Sequence, residues 1–374
     1  MGKQLVNYLF SGSVKKAILA LTVTAMVLAF SQKPAAWAIT VTDVFDRQVE
    51  VPDKVERVIA LGGSMMFLTY LGAVDMAVGV EEIEKTVISK PYIMVNAQKI
   101  KDKPIVGSGG SMRLYNVEEI ILLKPDVVFI LATNRGEVDD LQRQINKKVI
   151  GLSIQGEDGE YDEAIFLRSI LTIGQAMGME GRAQKLADYV ANLKNELSYD
   201  PGPGQRAKAY VGGLSSRGNR DLMSTTAKSM PMALAKIDNL MAGAAPGAAF
   251  ISKEHLLAIN PPLLFIDANG LELIREAISK DPLFYQRLTA LVDSNAFLTL
   301  PHNSYLFNVE TQYANAFYMA KMAYPAGYPD LDPAAKADEI YTAFYGQKLF
   351  GRLKAEFGGF ARLRLKGTEL VIEN

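Results

Sequence analysis

Apolar residues in the region 39–154 follow two alternating spacings. Short apolar runs such as 57–61 and 126–130 have the length of buried strands, and stretches with helical spacing, such as 117–123, separate them. Strands that alternate with helices are typical of a mostly parallel sheet with helices on both faces. The alternation starts again at residue 207 and continues to residue 300. The pattern therefore predicts two α/β lobes with mostly parallel sheets.

A long helical pattern separates the two alternating regions. After Gly181, apolar positions such as Leu186, Val190 and Leu193 fit one helix face, and the run 201–204, Pro-Gly-Pro-Gly, ends the pattern. This pattern predicts a helix that connects the lobes, although an ordinary packing helix would have the same pattern. The predicted organisation is a signal peptide (1–38), an N-terminal lobe (39–180), a connecting helix (181–199), a C-terminal lobe (200–356) and a C-terminal tail (357–374).

One sequence unit occurs twice, 136 residues apart. It begins with a residue suited to a helix N-cap, Asn116 or Ser252, and a glutamate follows two positions later, Glu118 or Glu254. An apolar helical stretch then runs to a proline seven residues after the glutamate, and a strand pattern resumes. A duplicated helix–strand unit indicates two similar lobes, with a ligand held in the cleft between them.

Composition excludes several classes of function. The 374-residue chain is 49% apolar and 22% charged, and its net charge of −1 gives no general attraction to nucleic acid. It has no cysteine, so thiolate metal sites and cysteine nucleophiles are excluded, and its two histidines, His255 and His302, cannot build a three-histidine zinc site. Ser64 and Ser215 follow strands, but no GxSxG motif surrounds either. We predict no catalytic residue, bound metal or cofactor, and a periplasmic enzyme is the alternative of another class.

The N-terminus has the pattern of a secretory signal peptide. Lys15 and Lys16 precede an apolar run of 14 residues, and the small-residue site Ala-Trp-Ala (36–38) follows. The apolar run is shorter than the roughly 20 residues that span a bilayer. We predict cleavage after Ala38, and the absence of cysteine there excludes a lipoprotein anchor. The mature chain is expected in the periplasm.

Several motifs in order resemble one known family. They include residues 41–52 (VTDVFDRQVEVP), 57–61 (RVIAL), 70–75 (YLGAVD), 116–120 (NVEEI) and 124–128 (KPDVV). Their order and spacing resemble the periplasmic substrate-binding proteins of ABC importers for ferric siderophores, haem and cobalamin, over nearly all of the mature chain. The resemblance implies two Rossmann-like lobes joined by one long helix, a ligand cleft between the lobes, and a monomer that delivers its ligand to an inner-membrane permease.

The resemblance also implies a role for the repeated glutamates. In this family one glutamate on each lobe pairs with arginines of the permease, and Glu118 and Glu254 occupy the matching positions. A carboxylate that pairs with arginine gives both attraction and register. The alternative is that each glutamate only stabilises the first turn of its helix against the macrodipole.

In parallel sheets the ligand lies beyond the carboxyl ends of the strands, and this rule selects the candidate cleft residues. The candidate ligand-binding residues are Met65, Arg113, Tyr115, Asn134, Arg135, Arg217, Arg220, Asn269, His302 and Tyr305. The four arginines suit an anionic ligand, the tyrosines suit a planar chelate, and the histidine suits an open metal position. An iron(III)–siderophore is the leading prediction for the ligand. Cobalamin, haem, an oxyanion and a nickel chelate are the alternatives.

Overall fold

The computed structural model describes residues 38–373, apart from 87–89, 111–112, 203, 217, 245–247 and 303–306. The helices are α1 (Met65–Leu71), α2 (Pro91–Ile100), α3 (Val117–Leu122), α4 (Arg135–Ile145), α5 (Glu163–Ala176), α6 (Glu180–Glu196), α7 (Met230–Leu234), α8 (Lys253–Ile259), α9 (Leu271–Lys280), α10 (Pro282–Tyr285), α11 (Thr289–Val292), α12 (Val309–Ala323), α13 (Pro333–Tyr345) and α14 (Phe350–Phe357).

The strands are β1 (Ala38–Thr42), β2 (Gln48–Pro52), β3 (Val58–Leu61), β4 (Ala77–Glu81), β5 (Ile105–Gly107), β6 (Val127–Leu131), β7 (Val149–Leu152), β8 (Lys208–Gly212), β9 (Ser224–Thr226), β10 (Asp238–Asn239), β11 (Ala248–Phe250), β12 (Leu263–Asp267), β13 (Ala296–Thr299), β14 (Ala361–Lys366) and β15 (Glu369–Glu373). β1 and β2 form a separate two-stranded sheet.

The first sheet has the order β5-β4-β3-β6-β7, and all of its strands are parallel. β3, β6 and β7 are buried along their whole length, because helices cover both faces of a parallel sheet. α1 begins after Ser64, and Gly72 ends it with a φ of 73°. We call the chain before α6 the first lobe.

The second sheet has the order β10-β8-β12-β13-β14-β15. β10, β8, β12 and β13 are parallel, and β14 and β15 are added antiparallel at one edge. Leu363, Leu365 and Leu370 of these last strands belong to the core of this part of the chain. Residues 361–373, which the sequence placed in a weakly patterned tail, are therefore part of the sheet. We call the chain after α6 the second lobe.

The duplicated unit occupies the same place in both sheets. The Asn116 side chain accepts from the N–H of Glu119 at the start of α3, and the Ser252 side chain accepts from the N–H of His255 at the start of α8. Each helix leads into a central strand, since β6 lies between β3 and β7 and β12 lies between β8 and β13. The residues before the two prolines, Lys124 and Asn260, both have positive φ. The predicted repeat is confirmed down to its capping bonds.

Helix α6 covers most of the segment that the sequence predicts as the connector. α6 packs against α5 of the first lobe and α13 of the second. From Thr40 onward the chain is one compact unit, so the two lobes are in contact. A buried bond joins them directly: the Tyr70 hydroxyl donates to Glu310 Oε2 at 2.6 Å, although 240 residues separate the partners.

Candidate functional site

A cleft of about 250 Å³ lies between the lobes. It is lined by Arg113, Leu131, Ala132, Ser153, Ile154, Gln155, Gly159, Glu160 and Tyr161 of the first lobe and by Leu214, Ser215, Thr225, Thr226, Lys228, His302 and Phe307 of the second. Leu131 ends β6, and Ser153 and Leu214 follow β7 and β8 closely. The cleft thus lies beyond the carboxyl ends of parallel strands, where α/β folds place their ligands.

Two cations line the cleft, one from each lobe. Arg113 Nη1 contacts Glu137 Oε2 at 2.8 Å, and the arginine is 27% exposed. Arg113 also has a φ of 43°, a conformation that non-glycine residues seldom adopt. Lys228 pairs across the cleft with Asp158 of the first lobe, and both side chains are about half exposed. An exposed ion pair of this kind contributes about 0–1 kcal/mol, so an anionic ligand can displace the carboxylate.

His302 adds no positive charge to the cleft at neutral pH. Burial lowers the pKa of His302 to about 4, and the nearby ammonium of Lys90 acts in the same direction. The His302 backbone N–H donates to Asp267 Oδ2 at 2.8 Å, and His302 Nδ1 lies 3.5 Å from the same oxygen. Burial raises the pKa of Asp267 to about 7. The imidazole is therefore a neutral hydrogen-bonding group of fixed position, and Arg113 and Lys228 supply the cationic character.

A buried polar network links the lobes near His302. Lys90 is fully buried and its Nζ lies 3.4 Å from Asn308 Oδ1. Burial lowers the pKa of Lys90 from 10.5 to about 7, although the carboxylates of Glu310 and Glu84 oppose this effect. Burial also raises the pKa of Glu84 and Glu310. The network places ionisable groups from both lobes in one dry region, so its stability depends on every member keeping its partner.

An aromatic pair forms one wall of the cleft. The rings of Tyr161, from the first lobe, and Phe307, from the second, stack with their centroids 5.0 Å apart and their planes 20° apart. Phe307 also contacts the edge of His302, with centroids 5.8 Å apart. Aromatic pairs of this kind contribute about 0.5–1.5 kcal/mol beyond the area they bury. The stack therefore holds this wall in place.

Arg113 and His302 are the predicted ligand residues that the structure brings together at the cleft. Arg217 and Tyr305 lie outside the described residues. The roles of Arg113 and His302 stay predictions.

Met65 lies elsewhere, because it is fully buried in α1 and belongs to the core. The glycine loop before Met65 already makes internal hydrogen bonds, because the N–H groups of Gly62 and Gly63 donate to the Glu81 carboxylate at 3.0 and 3.1 Å. A Cβ on Gly62 would lie 2.6 Å from the carbonyl oxygen of Leu131, so this turn requires glycine. The loop is built for internal packing and not for a ligand.

The other predicted ligand residues also lie away from the cleft lining. Tyr115 packs its ring against the core of the first lobe, and burial raises its pKa to about 12. Asn134 caps α4, and Arg135 pairs with Asp139 on the exposed face of that helix. Arg220 is exposed and covers the Phe250 ring, and Asn269 lines a separate cavity beside α9.

The cleft residues that were missed from the sequence include Tyr161, Thr225 and Lys228. Tyr161 lies in the connection between β7 and α5, and Thr225 belongs to the small antiparallel pair of β9 and β11. Neither position follows directly from the rule that ligands lie at parallel strand ends. For Thr225 and Lys228 the available signal was the length of the connection between β8 and β10, residues 213–237, compared with the first lobe's shorter β3–α1–β4 connection.

Glu118 and Glu254 are both exposed in the first turns of α3 and α8. In the described part of the chain, every helix is too short or too polar to span a lipid bilayer. Within the same residues, no group of three or more His, Asp or Glu side chains could hold a metal ion. The signal peptide prediction falls on residues that the structure does not describe, up to residue 37.

These features define the two-lobe fold of periplasmic substrate-binding proteins, with the cleft between the lobes. The sequence is similar to the molybdate-binding protein MolA of Haemophilus influenzae, with 23% identity over 334 residues that cover 82% of this chain and 90% of MolA. The structure of MolA bound to molybdate matches with a TM-score of 0.67 and 21% identity, and covers 83% of this chain and 98% of MolA.

Two further structures share the fold. Helicobacter pylori CeuE in a nickel–histidine complex has a TM-score of 0.62 and 17% identity, covering 86% of this chain and 99% of CeuE. The triscatecholate siderophore-binding protein FeuA of Bacillus subtilis, complexed with ferri-bacillibactin, has a TM-score of 0.52 and 16% identity, covering 81% of this chain and 98% of FeuA. No family model matches the sequence. The resemblance stated from the sequence is confirmed at the level of the fold.

Proposed function

We propose that this protein is the periplasmic substrate-binding component of an ABC importer and that its ligand is a compact oxyanion. One observation carries the proposal: Arg113 and Lys228 reach a small cleft from opposite lobes, among the side chains of Ser153, Ser215, Thr225 and Thr226. The two cations supply hydrogen-bond donors to an anion whose oxygens only accept, whereas the hydroxyls of Ser153, Ser215 and Thr226 donate within the protein. MolA, which resembles this chain over most of its length, binds molybdate.

The size of the cavity favours a compact oxyanion over the siderophore that the sequence analysis predicted. The cleft of about 250 Å³ is smaller than the roughly 300–1,000 Å³ of pockets for drug-sized ligands. A bulky chelate would have to extend into an adjoining cavity of about 580 Å³, which shares Glu160 and Lys228 with the cleft and adds the carboxylates of Asp158, Asp162 and Asp238. Those carboxylates would repel an anionic ferric chelate. An iron(III)–siderophore, a nickel chelate, haem and cobalamin remain the alternative ligands.

Binding rather than catalysis also agrees with the serine residues. Ser64, the first candidate nucleophile, is buried and its hydroxyl donates to the carbonyl of Phe129 at 3.1 Å. Ser215 contacts Asn219 at 3.3 Å. MolA and FeuA are named as binding proteins, and the CeuE structure is a complex with nickel and histidine.

The partner is proposed to be an inner-membrane permease that contacts Glu118 and Glu254. Both carboxylates are exposed, and each stands on a helix fixed by the same capping bond and followed by a central strand. Two equivalent carboxylates on rigid elements match a partner that presents arginines at two places. The chain acts as a monomer in this proposal.

Isothermal titration calorimetry on the mature protein tests the ligand. Sodium molybdate, tungstate, sulfate and phosphate are compared with a ferric tris-catecholate and nickel–histidine under identical buffer and salt. At least one oxyanion is expected to bind with one-to-one stoichiometry and to raise the melting temperature. Binding of the ferric chelate without binding of any oxyanion would reject the oxyanion proposal and restore the siderophore.

A further inference from the structure

Two hydroxyl groups at the cleft are buried without hydrogen-bond partners. They are Tyr161 Oη, from the first lobe, and Thr225 Oγ1, from the second. Buried polar groups nearly always have partners, and leaving one without a partner costs about 1–3 kcal/mol. Tyr161 and Thr225 line the same cleft from opposite lobes, and their hydroxyl oxygens lie just beneath its surface, so a single ligand between the lobes could satisfy both.

Each of these hydroxyls has a neighbouring hydroxyl, but neither pair has the distance and angles of a hydrogen bond. The Tyr313 hydroxyl lies close enough to affect the pKa of Tyr161, but it donates to Glu163 Oε2 at 2.8 Å. The Tyr210 hydroxyl lies close to Thr225, but it donates to the carbonyl of Leu222 at 2.7 Å. Neither neighbour makes a hydrogen bond of normal geometry with Tyr161 or Thr225.

The surroundings fix both hydroxyls in position. Stacking on Phe307 restrains the Tyr161 ring, and burial raises the pKa of its phenol, which keeps the proton on the oxygen for donation. Thr225 is fully buried and pairs with Ala249 in the antiparallel register of β9 and β11. A donor held in place before binding loses little entropy when a ligand accepts its hydrogen bond.

We propose that Tyr161 and Thr225 are specificity-determining residues whose hydroxyls donate to one oxyanion, one from each lobe. The inference rests on the proposed function and assigns two of its ligand contacts. Because the donors belong to different lobes, a ligand that accepts from both bridges the two lobes.

The test compares Tyr161→Phe and Thr225→Val with the parent by calorimetry and by thermal unfolding without ligand. The probe is whichever of molybdate, tungstate, sulfate and phosphate the parent binds most tightly. Each substitution is expected to weaken binding by about 10- to 150-fold, the effect of one hydrogen bond to a charged group. Each is also expected to leave the melting temperature of the empty protein unchanged or to raise it by about 2–5 °C, because no native bond is lost.

Two control variants separate recognition from folding. Tyr285→Phe removes another buried hydroxyl without a partner, in the core of the second lobe, and should leave affinity unchanged. Thr225→Ser keeps the donor and should keep affinity within about threefold. The inference is overturned if Tyr161→Phe and Thr225→Val bind the oxyanion as tightly as the parent. It is also overturned if they lose affinity and melting temperature together. A parent that binds no oxyanion overturns the proposed function, and this inference with it.

Discussion

Replacement of Arg113 by alanine tests the proposed ligand chemistry most directly. In the empty protein this arginine contacts Glu137, which also accepts from the Thr133 N–H at 3.2 Å and from the Thr133 hydroxyl at 2.7 Å. Glu137 therefore keeps two bonds when the arginine is removed. Because the ion pair is about one-third exposed, its loss should lower the free energy of unfolding by under about 1 kcal/mol.

The effect on ligand binding should be much larger. A bound oxyanion would lose the guanidinium that neutralises it inside a small cleft. Removing one partner of a buried, hydrogen-bonded charge pair costs about 2–5 kcal/mol, which corresponds to about 30- to 4,000-fold in affinity. Arg113→Lys keeps the charge but loses the planar fork, so its affinity should fall between those of the parent and the alanine variant.

Calorimetric titration with the oxyanion that the parent binds gives the affinity, and thermal unfolding gives the stability. Arg135→Ala is the matched control, because Arg135 is also a loop-proximal arginine of the first lobe but pairs with Asp139 on an exposed helix face. That variant should change affinity by less than about threefold. If Arg113→Ala and Arg135→Ala both bind within threefold of the parent, Arg113 does not contact the ligand and the anionic-ligand reasoning is wrong.

Three further outcomes are expected. Tyr70→Phe should lower the free energy of unfolding in urea by about 1.5–3 kcal/mol, since it removes a bond to buried Glu310; a loss under 0.5 kcal/mol would contradict this. Between about pH 7 and 10.5 Lys90 is protonated in the unfolded chain but neutral in the folded protein. The free energy of unfolding of the parent should therefore rise with pH more steeply than that of Lys90→Met. Equal slopes would argue against this. The double variant Glu118→Ala, Glu254→Ala should abolish uptake of the ligand in cells but keep the ligand affinity of the parent. Unaltered uptake would leave only the helix-dipole role for these two glutamates.

The sequence predicted the fold well because local signals and the global architecture agree. N-caps, apolar spacing and prolines mark α3 and α8, and the capping bonds form as those residues suggest. The C-terminal strands were missed although their pattern was present. Arg362, Leu363, Arg364, Leu365 and Lys366 alternate between exposed and buried in β14. Their contribution depends on pairing with β13 about 65 residues earlier, which no local pattern reveals.

The candidate site was predictable only in part, since a cleft is made by residues far apart in the chain. Arg113 and His302 were found because both come from loops beyond parallel strands. Lys228, Tyr161 and Thr225 were missed because an ordinary lysine, tyrosine or threonine has no distinguishing pattern in sequence. Their roles depend on contacts that only the folded structure shows. Lys228 pairs with Asp158, and the hydroxyls of Tyr161 and Thr225 have no hydrogen bond.

The position of β14 and β15 determines when each lobe can be completed during synthesis. The first lobe has all the strands of its sheet once β7 (Val149–Leu152) has been made. The second lobe is complete only after residues 361–370 have been made, because Leu363, Leu365 and Leu370 complete its core and β14 covers the edge of β13. A chain interrupted before residue 361 would thus have one finished lobe and one open sheet edge. Such an edge readily pairs with strands of other chains, so truncated products of this protein should aggregate through the second lobe.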